Sequence, residues 1–471
     1  MVRSCHRSYK FLSKIITIFS SIRGSFVRQL IAIAIPIAVQ NILFSSRGLV
    51  DVIMLGQLGE AEIAAVGVAA RATFVSTIML VGVTTGGALL TAQYWGAANR
   101  QGVRESTALT CLVSMFFATL TVLLFMFCSE SVMSLATDSP DVIRLGSEYL
   151  QITSVSMYAV ALVSSMAVGL RAMHKPAVST FFSAIGIGSN VVLNWVLIFG
   201  HFGLPAMGIA GAAIATVLSG VIEIVTLYGY LYRKQHLLAF RWPDLVATMN
   251  VPKVKRFLQL SLPTTFNFLI WSGGLFAYHA IMGMSGVQGL AALSVMTPVE
   301  SISLSFMIGI SSAAAVLVGN QLGAKEYEKT YDQAIALTML CVFASIVIAI
   351  LLYFLQTPVL NAFSALTPET RALAEKFITI LSIGIVLRSF PMSAIVGVLR
   401  AGGDVKFCLY QDVCAQWVIG IPVTAIVAVV FHAPPEWVYF AFLTEECVKW
   451  IGSIPRIRSK KWMRNLIETD V

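Results

Sequence analysis

Residues 31–58, IAIAIPIAVQNILFSSRGLVDVIMLGQL, run through almost unbroken apolar side chains and then place Arg47 and Asp51 in the second half of the stretch. A hydrocarbon core of about 30 Å takes about 20 apolar residues of helix, so the stretch is long enough to cross a bilayer. A charge at that depth costs roughly 2.5–3.5 kcal/mol on insertion scales, and a chain keeps one only where it is paired, wet or used. Arg47 and Asp51 are four residues apart and share one helix face. Pro36 removes a backbone donor from the first half and favours a bend there. A bendable membrane helix with one ionisable carboxylate suits an ion-coupled transporter. The plainer reading is a structural Arg–Asp brace between helices.

The rest of the chain extends this pattern. Of 471 residues, 57% are hydrophobic and 12% charged, with mean hydropathy +0.83; soluble domains carry about 25% charged residues. The composition predicts an all-α polytopic membrane protein. Twelve segments are expected, near 29–55, 62–92, 106–128, 143–170, 176–199, 206–232, 256–283, 289–319, 331–356, 372–399, 405–431 and 435–455. The net charge of +9 does not point to nucleic acid, because the basic residues fall in alternate loops. Examples are Arg100 and Arg104, Arg171 and Lys175, Arg233 to Arg256, Lys325 and Lys329, Arg400 and Lys406, and Arg456 to Arg464. By the positive-inside rule both termini are expected in the cytoplasm, with the chain in the cell inner (plasma) membrane. Residues 1–28 read as a basic, amphipathic cytoplasmic segment with Phe11, Ile15, Ile18 and Ile22 on one face. The seven cysteines show no metal spacing and are expected to be packing residues.

The second half restates the first. IAIPIAVQNILFSSRGLVDVIMLG aligns with LSLPTTFNFLIWSGGLFAYHAIMG, and VGVTTGGALLTAQYWGA with IGISSAAAVLVGNQLGA. Pro36 meets Pro263, Gly82 meets Gly309 and Gly96 meets Gly323, all at an offset of 227, and Arg171 meets Arg400 at 229. Each repeat holds six segments, so both enter the membrane with one orientation and form a parallel repeat. The expected division is a six-helix lobe at 29–232, a cytoplasmic linker at 233–255, a six-helix lobe at 256–455 and a basic tail at 456–471. Asp51 corresponds to Tyr278 and Arg47 to Gly274. A carboxylate present in one lobe only favours a functional role over a brace.

GLVDVIMLGQLG, the YWGAANR turn, GLRAMHKP, and NVVLNWVLIFGHFGLPAMGIAGAAIAT resemble the MATE (multidrug and toxic compound extrusion) family, as do LGAKEYEK and VLRAGGD in the second half. The resemblance covers about residues 29–455. It implies two six-helix lobes around a central cleft, and export of amphipathic, often cationic compounds against an inward Na⁺ or H⁺ gradient. It places the family's ion-coupling acid at Asp51, its segment-5 polar pair at Asn190 and Asn194, and its segment-6 threonine at Thr216. The NorM branch has second-lobe acids where this chain has Trp271 and Ser389. The DinF branch has Asp where this chain has Asn194. Both departures argue against those branches' exact ion sites. Arg47 is outside the family pattern; it and Arg71 are candidate modulators.

Further ionisable residues lie inside the segments. Glu300 and Arg388 are read as a cross-helix pair lining the second-lobe cavity or bracing it. Tyr278 and Trp271 join them as candidates for the substrate cleft, with Phe276, Met296, Phe306 and Met307 as further wall residues. Glu223 and Asp412 are charged positions without an assigned role. Glu445 and Lys449 read as local i, i+4 neutralisation, and His279 as a packed histidine.

There is no G-x-x-x-x-G-K-[ST], no H-E-x-x-H and no G-x-S-x-G, so ATP-driven pumping and hydrolysis are not expected and no cofactor or resident metal is implied. The expectation is a monomeric, non-enzymatic antiporter whose partners are a small organic substrate, H⁺ or Na⁺, and the bilayer, with H⁺ favoured. The alternative is a flippase for a lipid-linked sugar precursor, disfavoured by the count of twelve segments.

Overall fold

The computed structural model describes residues 24–55, 58–240, 245, 248–361 and 367–468. Most of the 1–28 segment, including its apolar face, and the middle of the 233–255 linker lie outside the described residues. Among the described residues the chain is helical, with no strand. The first repeat comprises α1 (Gly24–Leu55), α2 (Glu60–Gly96) and α3 (Arg100–Ser134). It continues with α4 (Pro140–Ser154), α5 (Ser156–Ala172), α6 (Pro176–Phe199) and α7 (Gly208–Arg233). The second repeat comprises α8 (Val251–Met284), α9 (Val287–Gly323), α10 (Tyr327–Phe354) and the short α11 (Gln356–Asn361). In α12 (Pro368–Met392) the last turns widen to a π-helix over Ser393–Leu399. The next helix, α13 (Val405–Val413), runs on through π-helical turns at Cys414–Gly420 and Ile426–Val430. The chain closes with α14 (Pro435–Ala441) and α15 (Thr444–Arg458).

Nine of the described helices are long and apolar enough to cross a membrane alone; α4 and α5, bent by 43°, make a tenth as a broken span. The two other expected segments are helical but more polar. Thr264, Thr265, Asn267 and His279 interrupt the apolar sequence of α8, and α15 carries Glu445, Glu446 and Lys449.

The described chain forms two compact units. One holds Val39–Thr91 and Asn99–Ser272; the other holds the chain up to Ala38, Ala92–Ala98 and everything from Gly273 onward. In the first unit, Leu55, Val66, Phe125, Met133, Leu150 and Ile209 form a continuous core. In the second, one cluster gathers Ile33 and Ile37 of α1 with Leu317, Val318 and Leu337. Another gathers Phe377, Ile378 and Tyr439.

Close helix contacts explain the repeated glycines, since small residues let backbones approach in a membrane bundle. In the first unit a Cβ at Gly82 would collide with the backbone of Thr265 on α8. In the second unit a Cβ at Gly309 would lie 2.5 Å from the Ala34 carbonyl and 3.1 Å from the Ala38 Cβ on α1. Thr265 is the repeat equivalent of Ala38, so the same contact is built twice. The ends of α2 and α9 meet reciprocally inside the second unit: a Cβ at Gly96 would strike the Asn320 carbonyl, and one at Gly323 the Gln93 carbonyl. Backbone oxygens cannot swing away as a side chain can. Gly96→Ala is therefore expected to destabilise the protein by roughly 1–3 kcal/mol through overpacking, read as a lowered thermal midpoint in detergent. An unchanged midpoint would show that the helix ends part freely.

Of the cysteines, Cys111, Cys341 and Cys408 are buried as expected of packing residues, whereas Cys128, Cys414 and Cys447 are exposed.

Candidate functional site

In the first unit α1, α4, α6 and α7 bring together one carboxylate and a row of neutral polar groups. Pro176 starts α6 at a position where its missing N–H costs nothing, and Gly200, at φ +75°, closes it. Between them Asn190 and Asn194, four residues apart, face one way, and both are fully buried. The Asn194 amide Nδ2 donates to Asp51 Oδ1 at 2.5 Å and lies 3.5 Å from Asn190 Oδ1. Asn190 Nδ2 reaches Thr216 Oγ1 of α7 at 3.5 Å. Buried Tyr149, on α4, lies beside this row with its hydroxyl near Thr153 and Thr216. Asn194 Oδ1 is buried with no hydrogen-bond partner in the described structure. Asp51, Asn190, Asn194 and Thr216 thus form one cluster, and Tyr149 completes it. Nothing in the sequence around Tyr149 marks it; only the fold brings it to Thr216.

Arg47 and Asp51 form no ion pair within 4.0 Å among the described residues, yet the Arg47 charge acts on Asp51, Tyr149 and Glu223. Arg71 is exposed on α2, and among the described residues it makes no hydrogen bond or ion pair with the cluster.

A second polar chain lies in the same unit. Ser183 Oγ of α6 donates to Glu223 Oε1 of α7 at 2.7 Å. Gln40 Nε2 of α1 donates to Ser183 Oγ at 3.1 Å, and Arg171 Nη2, at the end of α5, donates to Gln40 Oε1 at 2.7 Å. Sequence reading picked out Glu223 but not its partners. The usable signal was helical register: Ser183 and Asn190 are seven apart, as are Thr216 and Glu223.

The second unit carries charge of both signs. Arg388 of α12 bridges Glu300 of α9 and, through Nε at 3.0 Å, Glu446 of α15. Lys449 Nζ lies 2.8 Å from Glu445 Oε1 and 3.6 Å from Asp412 Oδ1, and Arg400 Nη2 lies 3.6 Å from Asp412 Oδ2. Tyr278, the repeat counterpart of Asp51, is buried and donates its hydroxyl to Glu445 Oε2 at 2.7 Å. At Gly274, the counterpart of Arg47, a Cβ would meet the Gln416 amide. The Glu300–Arg388 pair forms, but as one edge of this larger network. The Glu445–Lys449 pair also reaches Asp412 and so is more than local neutralisation. Trp271 counts with the first unit. Met296 and Met307 are buried in the apolar core, while Phe276 and Phe306 are exposed.

Two histidines sit at the turns after α5 and α7. Burial lowers the His174 imidazole below its ordinary range; burial and then the Lys175 charge lower that of His236. His279 is exposed on α8, with Nδ1 2.8 Å from the Leu275 carbonyl. Among the described residues no group of three His, Cys, Asp or Glu side chains could hold a metal ion.

A chain of helices with this repeat and this acid inside a helix is a multi-pass membrane transporter. The MatE family model matches twice, over residues 36–196 and 263–426, each match starting at one of the paired prolines. The chain belongs to the MatE family. It is 24% identical over 449 residues to the "Uncharacterized transporter YisQ" of Bacillus subtilis, covering 93% of this chain and 95% of that one. It is 25% identical over 404 residues to the "Probable multidrug resistance protein NorM" of Agrobacterium fabrum, covering 83% and 85%. A MATE transporter solved in complex with MaL6 superposes with a TM-score of 0.83 at 17% identity, over 92% of this chain and 96% of that chain. At that identity the likeness establishes the fold.

Proposed function

We propose that the protein is an H⁺-coupled antiporter that exports small amphipathic organic compounds by alternating access between its two lobes, 29–232 and 256–455, with Asp51 carrying the coupling proton. It works as a monomer in the cell inner membrane with both termini cytoplasmic, and performs no covalent chemistry. The observation that carries this reading is the 2.5 Å hydrogen bond from Asn194 to Asp51 inside a buried row of neutral polar groups. The amide N–H groups of Asn194 and Asn190 are already turned toward Asp51, Asn190 and Thr216, and Arg47 adds a nearby positive charge. A proton needs one oxygen. Na⁺ needs several oxygens at once; the site offers Asp51 and the unpartnered Asn194 Oδ1, while the amide donors and Arg47 oppose a cation there. The relatives named NorM support a multidrug substrate range.

The experiment compares the two ions in proteoliposomes loaded with a fluorescent amphipathic cation. An imposed pH gradient is expected to drive dye movement, and a Na⁺ gradient at fixed pH to leave it at the leak rate. The reverse pattern would assign coupling to Na⁺.

A further inference from the structure

Glu223 sits in the middle of α7, 7% exposed, with one direct hydrogen-bond partner among the described residues, the neutral Ser183 hydroxyl. Gly186 leaves room for the carboxylate: a Cβ there would lie 2.6 Å from Glu223 Oε2. The cation that answers it, Arg171, stands two hydrogen bonds further off, beyond Ser183 and Gln40. The second repeat shows what a settled version looks like. At the 229 offset, Arg171 and Ser183 correspond to Arg400 and Asp412, which pair directly at 3.6 Å. In the first repeat the position facing the arginine is a hydroxyl, and the acid has moved one helix over.

A buried carboxylate without a direct counter-ion is penalised in its charged form, and uptake of a proton removes that penalty. Register ties this acid to the coupling site. Ser183 and Glu223 each lie seven residues from a member of the Asp51 cluster, Asn190 and Thr216 respectively, or about 10 Å along their helices. The titratable groups on the helices packed against α7 are few. There are none on α6; α4 has Asp141, Arg144, Glu148 and Tyr149, α5 has Tyr158 and Arg171, and α1 has Arg47 and Asp51 in this unit. Of these, Arg47 acts on Glu223 directly through its charge and Arg171 through the relay.

Building on the antiport reading above, we propose that Glu223 is a second proton-carrying carboxylate of the transport cycle, and that Gln40 couples its protonation to the shape of α1. The relay passes through α1 four residues after Pro36. A bend there that withdraws Gln40 separates Arg171 from Ser183 and leaves the carboxylate without its distant cation. Glu223 then takes a proton from water on the face to which the lobe is open. It returns that proton to water on the other face when Gln40 re-enters. Only its O–H bond forms and breaks.

The test is an infrared pH titration of the purified full-length protein in detergent, which does not depend on transport. Wild type is expected to show two carboxylic acid C=O bands, one lost in Asp51→Asn and the other in Glu223→Gln. Ser183→Ala and Gln40→Ala, which keep both acids, are expected to shift the Glu223 band and its titration midpoint and to leave the Asp51 band in place. In proteoliposomes Glu223→Gln is expected to move one proton fewer per substrate. If neither Glu223→Gln nor Ser183→Ala alters the difference spectrum, Glu223 is a permanently ionised brace and the proposal falls. If the dye assay instead assigns coupling to Na⁺ while the Glu223 band is present, the antiport reading fails and the protonation of Glu223 stands.

Discussion

Asp51→Asn is expected to abolish export driven by a pH gradient, with the initial rate falling at least about ten-fold, the equivalent of about 1.4 kcal/mol in the barrier. The substitution keeps the shape of the side chain and its ability to accept from Asn194 Nδ2, so packing of α1 against α6 is preserved. What it removes is the change of charge. A switch between two packings needs a ligand that binds them unequally, and under the antiport proposal that ligand, for α1, is the proton on Asp51. Asn194→Asp in the Asp51→Asn background separates the two explanations of a loss. It returns a carboxylate to the same hydrogen-bonded pair from the α6 side. Partial recovery of pH-driven dye export is expected if the charge is what matters. Full transport in Asp51→Asn alone, under both pH and Na⁺ gradients, would remove Asp51 from the mechanism.

How far the sequence reached differs between the elements. The apolar segments were legible because bilayer thickness sets their length. The repeat was legible because its markers are residues that close packing requires: Gly82 and Gly309 each meet the equivalent backbone of α8 and α1, and larger residues cannot occupy those positions. Asp51 stood out through the cost of a charge in a membrane helix, and Asn190 and Asn194 through helical spacing together with the family resemblance. Tyr149 and the Arg171–Gln40–Ser183–Glu223 relay were not legible. Gln40 and Ser183 are ordinary polar residues 143 positions apart, and no local pattern links them until α1 and α6 are packed. In the second unit the i, i+4 rule found Glu445 with Lys449 but not Asp412. That third partner comes from α13 at the start of its π-helical turns, a feature without a periodic signature.

The second-unit network supplies the largest expected loss of stability. Arg388 is the one cation in contact with both Glu300 and Glu446 among the described residues. Removing one partner of a buried pair leaves an uncompensated charge, at a cost of about 3–5 kcal/mol. The Arg388 and Glu300 side chains are 27% and 26% exposed, which places Arg388→Ala near the lower end of that range, while Glu446, 4% exposed, cannot turn to water. The variant is expected to unfold at a markedly lower temperature in detergent. Arg388→Lys is expected to recover little, since one ammonium cannot make the two-sided contact that the guanidinium Nε and Nη1 make. Neutralising the orphaned acid is the decisive control. Arg388→Ala combined with Glu446→Gln should regain more than half of the lost thermal midpoint, because the penalty resides in the stranded carboxylate more than in the missing contacts. If the double variant is no more stable than Arg388→Ala, the loss comes from packing around α12, and the charges of Glu300 and Glu446 are carried by other groups.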